Sequence, residues 1–583
     1  MATATSTFQR AAALDDVRRL GSLVAHVSGH TLALFADGDD VRAVDNRCPH
    51  MGFPLHRGTL HDGILTCHWH HARFDVATGG TFDQWADDLD VFPVELRDGE
   101  VWVDLAPLGD PLAHRRARLH DGLERDLPLV IAKSVIGLVD GGADPVEPFR
   151  TGLEFGSRYR AGGFGQGLTM HACFANLLPA LDPEDRAHAL HHGLSAVAMD
   201  SAGMAPRFPV RPLPGGETDV AVLKRWFRQF VEVRDAEGAE RCVVSAVRAG
   251  ADDRQLADML FAAATDHRYI RTGHVLDFTN KALESLDLVG WDCGLAEIVL
   301  ASLATEYAEA DRMEESNAWR HPVDVVAILE HAFEELAAVL SGHVRSSETS
   351  SETGMGPEEA VLLSDDPQAT ADSLVEALRD GAAEETVAAA VARAAAVRIA
   401  RFHTSNEFGD WDTALHTFTF ANAVHQGLRR SPSPELVRGV FDAAMSIYLD
   451  RFLNVPPARI PQPDGAGVDA EELLEGLSAL LDRQQQVNEA GELVASYLAA
   501  GGEPRRLHAA LGKALLREDR DFHTIQCVEA AYRQYELTGD RLFPIAAARY
   551  LAAHAPTVRA QGQTYHIARR LHRGERLYED DAA

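Results

Sequence analysis

A chain of 583 residues is too long for one ordinary hydrophobic core, so two or more domains are expected. Its formal charge of −33 repels phosphate backbones and anionic lipid heads, which argues against nucleic acid and membrane surfaces as partners. The segment from Met1 to Ala13 has no apolar core of signal-peptide kind and no long apolar run follows, so a cytoplasmic location is expected.

Taken in order, Leu23 to Val27, Thr31 to Phe35 and Val41 to Val44 cluster or alternate apolar residues between Gly and Asp turns, and each predicts a strand. Next comes Cys48-Pro49-His50, then sixteen residues, then Cys67-His68-Trp69-His70. Each arm brings one Cys and one His to a tight turn. In a Rieske [2Fe–2S] centre the two thiolates hold one iron and the two imidazoles the other. Zinc is the competing reading, but zinc fingers usually place two Cys on one arm and two His on the other. Pro49, Gly52, Pro54, Gly58 and Gly63 supply the bends that two such loops need.

This pattern resembles the Rieske domain family over residues 7 to 108. The resemblance implies a small β-domain in which Cys48, His50, Cys67 and His70 ligate the cluster. Respiratory members carry a further Cys in each loop; here those positions read Met51-Gly52-Phe53 and Trp69-His70-His71, so the segment is similar to the oxygenase or ferredoxin type. His68 and His71 read as loop residues. Phe92 to Leu96 and Val101 to Leu105, joined at Asp98-Gly99, predict a closing hairpin. Residues 109 to 148 read as a connector with some helix.

From residue 149 to 575, Ala, Leu, Glu and Arg recur at helical spacing, which predicts an all-α domain. The fold expected is therefore multidomain, an all-β Rieske domain followed by about four degenerate helical repeats. The repeat signal is a His, Phe, Asn register: His274, Phe278 and Asn280 match His416, Phe420 and Asn422. Phe522-His523 keeps only the His, and His171, Phe174 and Asn176 keep the types with one residue deleted. Asp219, Asp324 and Asp469 each read as the cap of an amphipathic helix about 50 residues after a register His. The long interval between His274 and His416 is attributed to a flexible Ser/Glu/Gly-rich insertion over 341 to 370.

If the repeats close on one another, His171, His274, His416 and His523 can converge on a mononuclear non-haem iron; in an open solenoid they would lie far apart. Asn280 and Asn422 are candidates to orient the imidazoles. Asp266-His267 and His403 are further candidates, as is Lys281 as a modified ligand. Asp185, His188 and His192 fall one residue short of the Asp-x2-His-x4-His iron motif of the usual Rieske oxygenases, and that assignment is rejected.

The His-Thr-Phe-Thr segment at His416 resembles the questin-oxidase-like family. That resemblance implies a helical non-haem iron domain that oxidatively cleaves quinone-type rings. The expected function is an oxygenase in which the [2Fe–2S] cluster, supplied by a reductase or ferredoxin, passes electrons to a His-held iron that activates O2 for oxidation of a small, aromatic substrate. The alternative is an electron-transfer module on a helical interaction scaffold. Both are compatible with a homo-oligomer.

Overall fold

Short apolar alternation in the first hundred residues becomes three small antiparallel sheets. The strands are β1 (Phe8–Ala13), β2 (Ser22–Val27), β3 (His30–Asp37), β4 (Asp40–Asp45), β5 (Thr59–His61), β6 (Ile64–Thr66), β7 (Arg73–Asp75), β8 (Val91–Phe92), β9 (Val94–Arg97) and β10 (Glu100–Asp104). They pair in the orders β1-β10-β9, β2-β3-β4-β8 and β5-β6-β7. This computed structural model describes residues 7–106, 110–215, 218–346, 354–463, 469–519, 521–575 and 577.

The chain divides into two units, Met1–Pro148 with Gln561–Ala583, and Phe149–Ala560. In the first unit the predicted strands appear with extended ends. The hairpin at Asp98-Gly99 forms as well, with both residues at positive φ and Leu96 opposite Val101. The stretch from Phe92 to Leu96, expected as one strand, is two. Phe92 pairs with Ala43 in the four-stranded sheet, and Val94 begins β9 in another. Pro93 between them has no N–H to give to a ladder.

The expected connector is structured. Helices Pro111–Glu124 and Pro128–Asp140 each start on a proline in the first turn, and Asp110 caps the first by accepting from the Leu112 N–H. They belong to the β unit: Arg118 donates to the carbonyls of Gln84 and Ala86 and to Asp87. Helix Ala560–His572 also belongs to this unit, so the helical domain ends before the expected residue 575.

The second unit is helical throughout its described regular elements. Asp219, Asp324 and Asp469 accept from N–H groups in the first turns of their helices, as expected. The flexible insertion is corrected in part. Residues 347–353 lie outside the described residues, but the rest of that stretch holds the end of helix Val325–Ser346, helix Glu359–Leu362 and the start of Pro367–Arg379. Composition hid the Asp366 cap and the first-turn Pro367 that start the last of these.

At the heart of this unit lie the four helices that carry the register histidines. Gln166–Leu177 and Phe408–Arg430 each pack on both His274–Val289 and Phe522–Thr538, closing a four-helix ring. The interior of this ring is charged. The ammonium of Lys281 donates to Glu529 at 2.7 Å and to Glu284 at 3.0 Å, while Asn176 donates to the same two carboxylates. All four residues are buried. Burial works against the Lys281 charge, but Glu284 and Glu529 more than offset it and hold the ammonium well above its ordinary value.

Candidate metal centres

In the first unit, the turns around Cys48 and Cys67 are built by backbone pairing. The Cys48 N–H donates to the Phe53 carbonyl at 2.8 Å and the Gly52 N–H returns to the Cys48 carbonyl at 2.7 Å. Gly52 has φ +79 and sits where a Cβ would press on Leu571 at 2.9 Å, so the bend favours glycine. The second turn repeats the scheme, with the Cys67 N–H donating to the Ala72 carbonyl at 2.8 Å.

These two turns bring all four expected ligands together. Both thiols are buried and hydrogen-bonded to one another, and the His50 and His70 rings lie 4.8 Å apart. The hydrogen bond from the Cys48 thiol lowers Cys67 and, with burial, holds Cys48 high, so the pair gives up its first proton easily. Burial, with His70 and Lys133 nearby, drops His50 to about 4 and keeps it neutral. Its Nδ1 is buried without a hydrogen-bond partner. Two paired thiols, two adjacent imidazoles and an orphaned ring nitrogen fit a [2Fe–2S] cluster of the two-Cys, two-His kind. His68 bonds Thr59 and His71 adopts positive φ, as loop residues do.

The second unit brings together three of the four register histidines. One ligating nitrogen from each of His274, His416 and His523 falls within 4.8 Å of the others. His416 Nε2 and His523 Nε2 are 2.9 Å apart, and the His274 and His416 rings are 4.6 Å apart. Burial, reinforced by the neighbouring imidazoles, lowers His274 to about 3 and His416 to about 4. Both are neutral at pH 7, the form that binds metal. Three imidazoles without a thiolate suit iron, copper or zinc.

His171 is not part of this centre. Its Nε2 bonds the Phe149 carbonyl at 2.9 Å, and its ring is wedged against Gly152 and Gly193, where a Cβ would meet it at 2.5 Å in each case. The deleted residue explains this. Asn176 follows His171 by five positions, whereas Asn280 follows His274 by six. With the asparagines in register, that offset turns His171 by about 100° around its helix.

Several expected supporting roles are also corrected. Asn280 donates to Glu284 and Asn422 accepts from Gln534, so the asparagines brace the ring and not the imidazoles. Lys281 serves the buried ion network, His267 bonds Glu314, and His403 bonds Ser405. His188 and His192 lie with Nε2 atoms 3.1 Å apart on helix Pro183–Ser201, away from the three-His group.

The carboxylate beside the three-His group is Asp412. One oxygen lies 3.6 Å from His523 Nδ1, and the other accepts from the Tyr550 hydroxyl at 2.5 Å and lies 3.7 Å from His554 Nε2. Asp412 precedes His416 by one helical turn, a spacing visible in sequence. Tyr550 and His554 come from helix Leu542–His554, and nothing in their local sequence marks them. Phe278 and Phe522 flank His274 at 5.2 and 5.7 Å.

Comparison with known proteins bears on the first unit. Residues 7–92 match the Rieske [2Fe-2S] domain family. Ferredoxin CarAc of Metapseudomonas resinovorans is 35% identical over 81 residues, 14% of this chain and 76% of that protein. Apoptosis-inducing factor 3 of Homo sapiens is 37% identical over 71 residues, and the match spans only 12% of either chain. The solved ferredoxin of carbazole 1,9a-dioxygenase from Nocardioides aromaticivorans IC177 is 30% identical, aligned over 18% of this chain and 100% of that one with a TM-score of 0.17. With both Cys/His turns formed and the family match spanning them, the chain belongs, through residues 7–92, to the Rieske [2Fe-2S] domain family.

Proposed function

We propose that this protein is a Rieske-containing oxygenase, in which electrons received by the [2Fe–2S] cluster serve a mononuclear non-haem iron held by His274, His416 and His523. The observation that carries this reading is the convergence of three imidazoles, from three helices, within 4.8 Å of one another. Such a centre, when loaded, supplies O2 activation.

The chain's own residues have defined tasks around it. The Asp412 carboxylate, 3.6 Å from His523 Nδ1, favours a proton on that nitrogen, which would leave Nε2, the atom beside His416, for a metal. Tyr550 keeps Asp412 in place. Phe278 and Phe522 give the His274 side an apolar wall. With three protein ligands, a bound metal would keep open positions at which O2 could be activated.

The electron donor is a reductase or ferredoxin, and the substrate an organic, aromatic molecule. Aromatic chemistry is supported by the resemblance of the His416 segment to questin-oxidase-like proteins. A cytoplasmic setting agrees with the finding that, among the described residues, no helix is long and apolar enough to cross a membrane.

Iron content tests the reading. Anaerobically purified protein should hold about three irons per chain, and the His274→Ala, His416→Ala double variant about two, those of the cluster. A third metal that is zinc would point to hydrolytic chemistry. Equal iron in both proteins would return the chain to an electron-transfer module on a helical scaffold.

A further inference from the structure

Lys133 lies on helix Pro128–Asp140, beyond the residues that match the Rieske family, yet its ammonium reaches the first cluster turn. It donates to the carbonyl oxygens of Pro49 and His50, the latter at 3.1 Å. The nearby acid Asp87 is engaged by Arg115 and by Arg118, the second at 3.0 Å, so Lys133 is bonded to peptide oxygens and not to a carboxylate.

Those two carbonyls are not arbitrary acceptors. The Pro49 carbonyl shares a peptide group with the His50 N–H, and the His50 carbonyl shares the next with the Met51 N–H. Both of these N–H groups hydrogen-bond the Cys48 sulfur. Two unbroken paths therefore run from the ammonium, through a peptide, to a cluster ligand. A cation on the oxygen of a peptide polarises it and makes its N–H a stronger donor. Cys67 receives the matching pair of bonds from the N–H groups of Trp69 and His70.

Reduction adds one negative charge to a [2Fe–2S] cluster. Hydrogen bonds to its sulfurs are among the factors that set its potential, because they stabilise the more negative state. A lysine ammonium carries a full positive charge at neutral pH.

We propose that Lys133 is a positioning residue for the Rieske centre, one that polarises the two peptide groups bonded to Cys48 and so raises the reduction potential of the cluster. The proposal rests on the Rieske family assignment alone and is independent of the oxygenase reading.

The test is a redox titration of the full-length protein at pH 7, following the electron paramagnetic resonance signal of the reduced cluster. Lys133→Met should shift the midpoint potential downward and Lys133→Arg should stay near the wild type. Lys133→Gln, which keeps a hydrogen bond but no charge, should fall between them. A Met variant with a full cluster and an unshifted potential overturns the proposal, as does a Gln variant equal to the wild type, because a purely structural tie would behave that way. Should the Met variant not load its cluster, the other two decide: Gln below Arg upholds the proposal, and Gln equal to Arg overturns it.

Discussion

The two candidate metal centres use histidine in opposite ways. The Rieske ligands sit on two turns between Cys48 and His70, whereas His274 and His523 are 249 residues apart and meet only because their helices share a ring. A site on neighbouring turns needs bends and a few backbone bonds, since little chain must be ordered to close it. A site drawn from distant helices needs a frame that holds their rotation. Here the frame includes the buried Lys281, Glu284, Glu529 and Asn176 network, one turn and more along the same helices. Packed apolar residues would bring the helices together, but directional bonds also fix which face turns inward.

The contrast can be tested at each end. The largest effect should come from Cys67→Ser, which removes one of the two buried thiols that the turns bring together. The variant is expected to lose the visible absorption and paramagnetic signal of the cluster, and a retained Rieske spectrum would remove Cys67 from the ligand set. Lys281→Met should destabilise the helical unit by about 3–5 kcal/mol, because Glu529 and Glu284 stay buried without their shared cation. Urea unfolding followed by helical circular dichroism measures this. A loss under about 1 kcal/mol would mean that apolar packing alone fixes the ring. The smallest effect belongs to Asp412→Asn, which keeps the shape but weakens the hold on His523. Metal affinity of the three-His centre should fall about 10–100-fold in a chelator competition, and an unchanged affinity would remove Asp412 from the site.

How much of this was readable in advance follows from the same contrast. The four candidate cluster ligands, which the structure brings together, were legible because their donors and bends lie within one short stretch. His274, His416 and His523 were legible as candidates, since each sits in the same register six residues before Asn280, Asn422 or Glu529. His171 was a plausible fourth because residue types survive a deletion that helix geometry does not. Asp412 stood one turn from His416 and was nameable as a neighbour. Lys133, Tyr550 and His554 were not, because their roles depend on helices that approach from other parts of the chain.

Residue order settled the Rieske centre and the change from strands to helices, since both rest on spacing over a few turns of chain. Packing settled the rest. Whether the histidines converge depends on the ring closing, and which three of them converge depends on the rotation of each helix, where one residue is worth about 100°. That rotation is set by contacts among four helices, and no single segment contains it.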